Sequence, residues 1–115
     1  MYKIPLSKPD ITEKEKIAVL GVLNTLSLSL GEKYLEFEKL MAKFAGVKYA
    51  VAVNSGTSGL HLIVKSLGIG KGDEVIATPF SFIASANCIL YEGAKPVFVD
   101  VKNDTFNIDV NKIED

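Results

Sequence analysis

The stretch that decides the fold is Val51-Ala-Val-Asn-Ser-Gly-Thr-Ser-Gly-Leu-His-Leu62. Its apolar, β-branched beginning is typical of a buried strand, and this run stops at Asn54. A turn of small residues, Ser55 to Gly59, follows and leads into apolar positions with helical spacing. The pattern therefore predicts a strand, a tight turn and the amino-terminal end of a helix.

The beginning of that helix is a candidate site for an anion. The first N–H groups of a helix have no internal partner, and the helix dipole places partial positive charge there. Small side chains let a phosphate approach the backbone. The spacing is not that of a dinucleotide-binding loop, and no Gly-Lys-Ser/Thr closes a P-loop. An ordinary turn capped by Ser55 or Thr57 is the alternative for this segment alone.

Composition indicates one small globular domain and no separate second domain. The chain has 115 residues, of which 48% are hydrophobic, and a net charge of -1, which gives no basic surface for a nucleic-acid partner. The single cysteine, Cys88, excludes an internal disulfide and favours a reducing compartment, with the thiol buried. No apolar run approaches the ~20 residues that span a membrane, and the first residues do not resemble a signal peptide. We expect a cytoplasmic protein.

Two helices are predicted before the small-residue turn. The capping box Thr12-x-x-Glu15 indicates a helix that runs to about Asn24. The alternating segment Leu26 to Gly31 is predicted to be extended. A second helix begins near Glu32, carries one apolar stripe and ends at Gly46.

Three β-α units then follow along the chain. The strands are predicted at Tyr49 to Val53, at Glu74 to Thr78 and within Lys95 to Asp100, and the helices at about Thr57 to Leu67, at Ser81 to Tyr91 and after a cap at Asp109. Strands and helices that alternate every ~25 residues indicate a parallel sheet with right-handed crossovers. We therefore predict an α/β fold with three β-α units.

Ligands of parallel sheets bind at the carboxyl ends of the strands. The turn after Val53, the segment Pro79-Phe-Ser-Phe82 and Asp100 are all expected at that edge. Three strands form a small sheet, and the sequence reaches Asp115 soon after a helix is predicted to begin. We expect the chain to be the N-terminal portion of a longer protein.

Four blocks of sequence resemble the DegT-type sugar aminotransferases in order and spacing. The blocks are Asn54-Ser-Gly-Thr-Ser-Gly-Leu-His-Leu62, Gly72-Asp-Glu-Val-Ile76 with Thr78-Pro79, Ser81-Phe82-Ile-Ala-Ser-Ala-Asn87, and Gly93-Ala-Lys-Pro-Val-Phe-Val-Asp100. That family consists of pyridoxal 5'-phosphate (PLP) enzymes of the aspartate aminotransferase fold, fold type I. The resemblance implies the N-terminal part of a PLP-dependent transferase large domain, with two helices ahead of the three β-α units.

The resemblance also implies roles for individual residues. Gly56, Thr57 and Ser58 match the loop that binds the PLP phosphate through backbone N–H and hydroxyl groups. Phe82 matches the position whose aromatic ring lies against the pyridine ring of the cofactor. Phe80 is the neighbouring candidate for that role, and a core aromatic is the structural alternative.

The family's Schiff-base lysine, and the carboxylate that pairs with the pyridinium nitrogen, lie beyond this chain. PLP chemistry needs both groups, so the resemblance implies no catalytic residue here and no activity of the chain alone. No metal site is expected. We predict a packing or hydrogen-bonding role for His61, a solvated side chain for Lys65, and either a ligand contact or a turn for Asp100.

The resemblance implies transfer of an amino group, from glutamate, to a keto group of a nucleotide-linked sugar in polysaccharide or antibiotic sugar biosynthesis. It also implies a homodimer, because the active site of fold type I enzymes forms at a dimer interface, near which Ser27 to Gly31 would lie. One alternative is a deoxysugar dehydratase of the same family, in which histidine replaces the lysine. Another is a non-catalytic phosphate-binding module.

Overall fold

The computed structural model describes residues 4, 5 and 7–113, which form two compact units divided between Ala52 and Val53. The first unit contains helices α1 (Glu13–Asn24) and α2 (Glu32–Ala45). The second unit contains α3 (Gly56–Ser66), β1 (Glu74–Ala77), α4 (Ala84–Tyr91), β2 (Lys95–Phe98) and a short 3-10 helix (Val110–Lys112). The α/β class is confirmed. Residues 114 and 115, the last two of the sequence, lie outside the described residues.

Both helices of the first unit begin and end where their sequence signals predict. The Thr12 hydroxyl accepts from the Lys14 N–H, and the Glu15 carboxylate accepts from the Thr12 N–H at 2.6 Å, which completes the capping box. Helix α2 ends at Gly46, whose φ of 68° lies in the left-handed region that glycine enters at little cost.

The segment between these helices is not extended, so that prediction is wrong. Leu26 and Leu30 both have positive φ, 58° and 49°, and these residues turn the chain. A Cβ on Gly31 would lie 2.9 Å from the Ser27 carbonyl oxygen, so the fold brings backbone close to backbone there. Alternation of apolar and polar residues specifies a strand only when a neighbouring strand pairs with it.

The predicted first strand, Tyr49 to Val53, is also absent from the described structure. Side chains of α2 occupy both backbone groups of Ala52: its N–H donates to the Glu38 carboxylate at 2.9 Å, and its carbonyl accepts from the Tyr34 hydroxyl at 3.2 Å. These bonds satisfy the polar groups that a neighbouring strand would otherwise pair. The apolar run is therefore stabilised at Ala52 by side chains instead of a strand ladder.

The other two predicted strands, β1 and β2, pair in parallel from Glu74 opposite Lys95 to Ala77 opposite Phe98. The Val99 N–H donates to the Ala77 carbonyl at 2.9 Å and continues the pairing by one residue. Within residues 4, 5 and 7–113, the sheet therefore consists of the two strands β1 and β2.

Helix α4 begins at Ala84, later than the predicted Ser81. The Thr78 hydroxyl accepts from the Phe80 N–H and turns the chain after β1. The predicted cap at Asp109 is present, because its carboxylate accepts from the Asn111 N–H, but it begins a 3-10 helix of only three residues.

The core of the second unit lies where α3 and α4 pack against each other and α4 packs on the strands. It is formed by Val64, Ala77, Cys88, Ile89 and Ala94, with Ile69 and Val75 packed against them. Cys88 is 4% exposed, which confirms the predicted buried thiol. This core fixes α3, the helix that carries the small-residue turn at its beginning.

Candidate functional site

Helix α3 begins at Gly56, directly after a serine that caps it. Ser55 has extended backbone, and its hydroxyl accepts from the Ser58 N–H at 3.1 Å. Its carbonyl accepts from the Gly59 N–H, the first bond of the helical ladder. The turn therefore satisfies the third and fourth amides of the helix.

The first two amides of α3 remain available. Within the part of the chain that the structure describes, no group accepts from the N–H of Gly56 or Thr57. A Cβ added to Gly56 would meet nothing within 4 Å, so the space beside it is open. The first turn holds no acidic residue that would offset the helix dipole. Two N–H groups at an uncompensated positive pole fit a phosphate group.

The two hydroxyls of this turn differ in their environment. The Ser58 hydroxyl donates to the Asn54 side-chain oxygen at 2.7 Å and also lies 3.0 Å from the Ser55 hydroxyl. Thr57 is half-buried, and its hydroxyl has no hydrogen-bond partner among residues 4, 5 and 7–113. The Thr57 hydroxyl is therefore free to bind an anion, whereas that of Ser58 is engaged.

Two phenylalanines lie between β1 and α4. The Phe80 ring stacks on Phe106, with centroids 5.6 Å apart and planes inclined by 30°. Phe82 is 74% exposed. An exposed ring can lie against a flat ligand, so Phe82 meets that requirement better than Phe80.

Both strands lead to the same edge of the sheet. Because β1 and β2 run parallel, the segment from Thr78 to Phe82 and Asp100 both lie at their carboxyl ends, as predicted. The Asp100 carboxylate accepts from the Val101 N–H at 2.8 Å and from Lys112 at 3.2 Å. The Val101 N–H, and secondarily the Lys112 ammonium, lower the pKa of Asp100. Asp100 is thus engaged in the turn that follows β2.

A second polar cluster joins α3 to the end of α4. His61 Nε2 lies 2.5 Å from Glu92 Oε1, and Lys65 Nζ lies 3.3 Å from the same oxygen. The predicted hydrogen-bonding role of His61 is confirmed, and Lys65 is 64% exposed, as predicted. Sequence reasoning missed Glu92, which lies 31 residues from His61. A signal was present, since an acidic residue at a helix carboxyl end opposes the dipole unless a cation approaches it.

Among the described residues there is no group of three or more His, Cys, Asp or Glu side chains that could hold a metal ion. In the same part of the chain, each helix is too short or too polar to cross a lipid bilayer.

Comparison with known proteins extends over nearly the whole chain. The model of the DegT/DnrJ/EryC1/StrS aminotransferase family matches residues 9–115. The spore coat polysaccharide biosynthesis protein SpsC of Bacillus subtilis is 48% identical over 111 residues, 96% of this chain and 28% of SpsC. The GDP-perosamine synthase of Caulobacter vibrioides is 44% identical over 113 residues, 97% of this chain and 30% of the synthase.

A solved structure is similar to this chain in backbone and in sequence. Spr1654 of Streptococcus pneumoniae in its PMP form superimposes with a TM-score of 0.92 at 39% identity, over 98% of this chain and 28% of Spr1654. Its PLP form superimposes with a TM-score of 0.85. The chain spans less than a third of the length of these relatives.

Proposed function

Because the chain belongs to the DegT/DnrJ/EryC1/StrS aminotransferase family, we propose that its protein transfers an amino group to a nucleotide-linked keto-sugar. Glutamate is the proposed amino donor, and PLP the cofactor. The family resemblance seen in the sequence is confirmed by the match over residues 9–115. The substrate class is supported by the names of two relatives, which concern GDP-perosamine synthesis and a spore coat polysaccharide.

The observation that carries this proposal is the open beginning of α3. We propose that the N–H groups of Gly56 and Thr57 and the Thr57 hydroxyl bind the cofactor phosphate. Support comes from the lack of other acceptors for these amides in the described structure, and from the open space at Gly56. Ser58 is the third proposed contact, and its hydroxyl would have to release Asn54 to reach the phosphate.

We propose that Phe82 orients the cofactor ring by lying against its face. Its exposure supports this role, as does the engagement of Phe80 with Phe106. When bound, PLP would supply an aldehyde carbon that takes the amino group from donor to acceptor and a ring that withdraws electrons from it. The residues of this chain bind and orient that ring, and the proton-transferring lysine is proposed to lie downstream.

We propose that the chain is the N-terminal portion of one transferase domain. The fraction of each relative that it covers supports this proposal. Lys65, the lysine of α3, does not fit the Schiff-base role. It lies eight residues after Thr57, ~12 Å along the helix axis, and its ammonium group bonds to Glu92.

We also propose a cytoplasmic homodimer. The lone buried Cys88 fits a reducing compartment. The three leucines of the turn between α1 and α2, Leu26, Leu28 and Leu30, are 66–86% exposed. A second copy that covers this turn would remove apolar surface from water. We expect the full-length wild-type protein to have the mass of two chains in solution, and Leu28→Asp to shift this mass towards that of one chain. A wild-type mass of one chain would contradict the proposal.

The proposed function is tested on the full-length protein. We expect it to bind PLP and, with glutamate, to convert a nucleotide-linked keto-sugar into an amino sugar. Phe82→Ala should weaken PLP binding about tenfold, because stacking contributes ~1 kcal/mol or more, and Phe80→Ala is the matched control. A deoxygenated sugar product would instead favour the dehydratase alternative. Binding of PLP without any conversion would favour the binding module.

A further inference from the structure

We infer that His61 and Glu92 form a positioning pair that sets the placement of α3 against α4, and thereby the spacing between the proposed phosphate and ring contacts of the cofactor. The inference rests on the proposed function. Neither residue touches the cofactor in this proposal, because both lie away from the helix beginnings.

The contact geometry is that of a strong, directed bond. His61 Nε2 and Glu92 Oε1 are 2.5 Å apart, and the Glu92 side chain is only 17% exposed. A carboxylate can only accept, so the proton of this bond lies on His61 Nε2. The His61 ring also meets Tyr91 edge-on, with centroids 5.2 Å apart. These two contacts fix both the direction and the tilt of the imidazole.

Electrostatics explain why the pair needs a specific arrangement. Glu92 caps the carboxyl end of α4, where the helix dipole disfavours negative charge. The bond from His61, and secondarily the Lys65 ammonium, lower the pKa of Glu92. Glu92 is therefore held as an anion where its own helix opposes it, which requires α3 to stay close.

The placement of the pair connects it to the site. Thr57 lies four residues before His61 on α3, ~6 Å along the axis, and Phe82 lies two residues before α4 begins. The apolar contacts among Val64, Cys88 and Ile89 hold the helices together, but such contacts are not directional. A directed bond adds to this packing a restraint against sliding or rotation of one helix on the other.

The test uses the full-length protein and three variants, Glu92→Gln, His61→Leu and His61→Gln. We measure the PLP dissociation constant, the circular dichroism of bound PLP, and the melting temperature without PLP. We expect His61→Leu to weaken PLP binding by at least about tenfold and to change the dichroism, while the apo-protein melts near the wild-type temperature. Glu92→Gln keeps an acceptor but loses the charge that strengthens the bond, so it should weaken PLP binding by a smaller factor and change the dichroism in the same direction. His61→Gln keeps a donor and should recover most of the affinity.

The matched control is Glu74→Gln, which removes an exposed ion pair with Lys95 in the same unit. PLP affinity and dichroism should both stay at wild-type values in this variant. The double variant Glu92→Gln/His61→Leu should bind PLP no more weakly than His61→Leu alone, since His61→Leu already removes the shared bond.

Three results would overturn the inference. Unchanged PLP affinity and dichroism in Glu92→Gln and His61→Leu would overturn it while the proposed function stands. A loss of affinity that only follows a fall in melting temperature would show a purely structural bond. Failure of the wild-type protein to bind PLP would overturn the proposed function together with this inference. If Glu92→Gln does not fold, the two His61 variants give the same decision.

Discussion

The helices α1 and α3 begin in opposite ways. At α1, the side chains of Thr12 and Glu15 each accept from the other's backbone N–H, which forms the capping box. Glu13 and Glu15 also add negative charge to the first turn. At α3, Ser55 caps the helix but the first turn has no acid, and two amides have no acceptor in the described chain. One helix closes its positive pole with its own side chains, and the other leaves it open to an external anion.

The largest expected effect comes from making α3 begin like α1. Ser58→Glu places a carboxylate at the third helical position, opposite the Ser55 cap, and so completes a capping box. A carboxylate there competes with the phosphate and repels it, so we expect PLP affinity of the full-length protein to fall about a hundredfold. Equilibrium dialysis measures the loss.

Ser58→Gln is the control for that experiment. It completes the same box without charge and also removes the bond from Ser58 to Asn54. Equal losses in the two variants would mean that negative charge at this turn is irrelevant and that the open pole does not bind the phosphate.

A smaller effect is expected from Thr57→Val, which keeps the shape of the side chain and removes its hydroxyl. A hydrogen bond to a charged group contributes ~1.5–3 kcal/mol, so PLP affinity should fall at least about tenfold. Thr57→Ser keeps the hydroxyl and should bind PLP nearly as well as wild type. Fluorescence titration with PLP compares the two, and wild-type affinity in Thr57→Val would remove this hydroxyl from the site.

Removal of the two caps should separate stability from binding. Thr12→Ala should reduce the free energy of unfolding by about 1 kcal/mol and leave PLP affinity unchanged. Ser55→Ala should cost a similar amount and also weaken PLP binding, because the turn that presents Gly56 and Thr57 loses its bond to Ser58. Urea unfolding and PLP titration of both variants test this contrast, which fails if Thr12→Ala lowers the affinity as much.

The smallest expected effect is a loosening of α1 in acid. The Thr12 hydroxyl and N–H lower the pKa of Glu15. A carboxylate with a lowered pKa in the folded state stabilises the fold above its unfolded pKa, and this contribution is lost as the pH falls through the folded pKa. Backbone NMR shifts of the first turn of α1 should therefore change below the ordinary range of glutamate. In Glu15→Gln that change should be absent, and its persistence would assign it to another group.

Local signals in the sequence were sufficient for several elements. The beginning of α1 follows from Thr12 and Glu15, the end of α2 from Gly46, and the beginning of α3 from its small-residue turn. Each of these features involves residues within four positions of one another, so backbone geometry and nearby side chains decide them.

Other features depend on residues that are distant in sequence. The run from Tyr49 to Val53 has strand composition, yet Tyr34 and Glu38 occupy the backbone of Ala52. No local pattern indicates that a helix one element earlier supplies these bonds. In the same way, Glu92 is an unfavourable helix end until His61 approaches it from α3.

The sequence by itself determined the beginnings of α1, α2 and α3, the two strands that pair in parallel and the four blocks that identify the family, because these depend on neighbours along the chain. Only the tertiary structure decided which polar groups and rings meet a partner from a distant part of the chain. It placed side chains of α2 on the backbone of Ala52, brought His61 to Glu92, and stacked Phe80 on Phe106 while Phe82 stays exposed. The physical reason is that a hydrogen bond or a stacked ring needs a partner at a set distance, and packing, not sequence separation, brings that partner there.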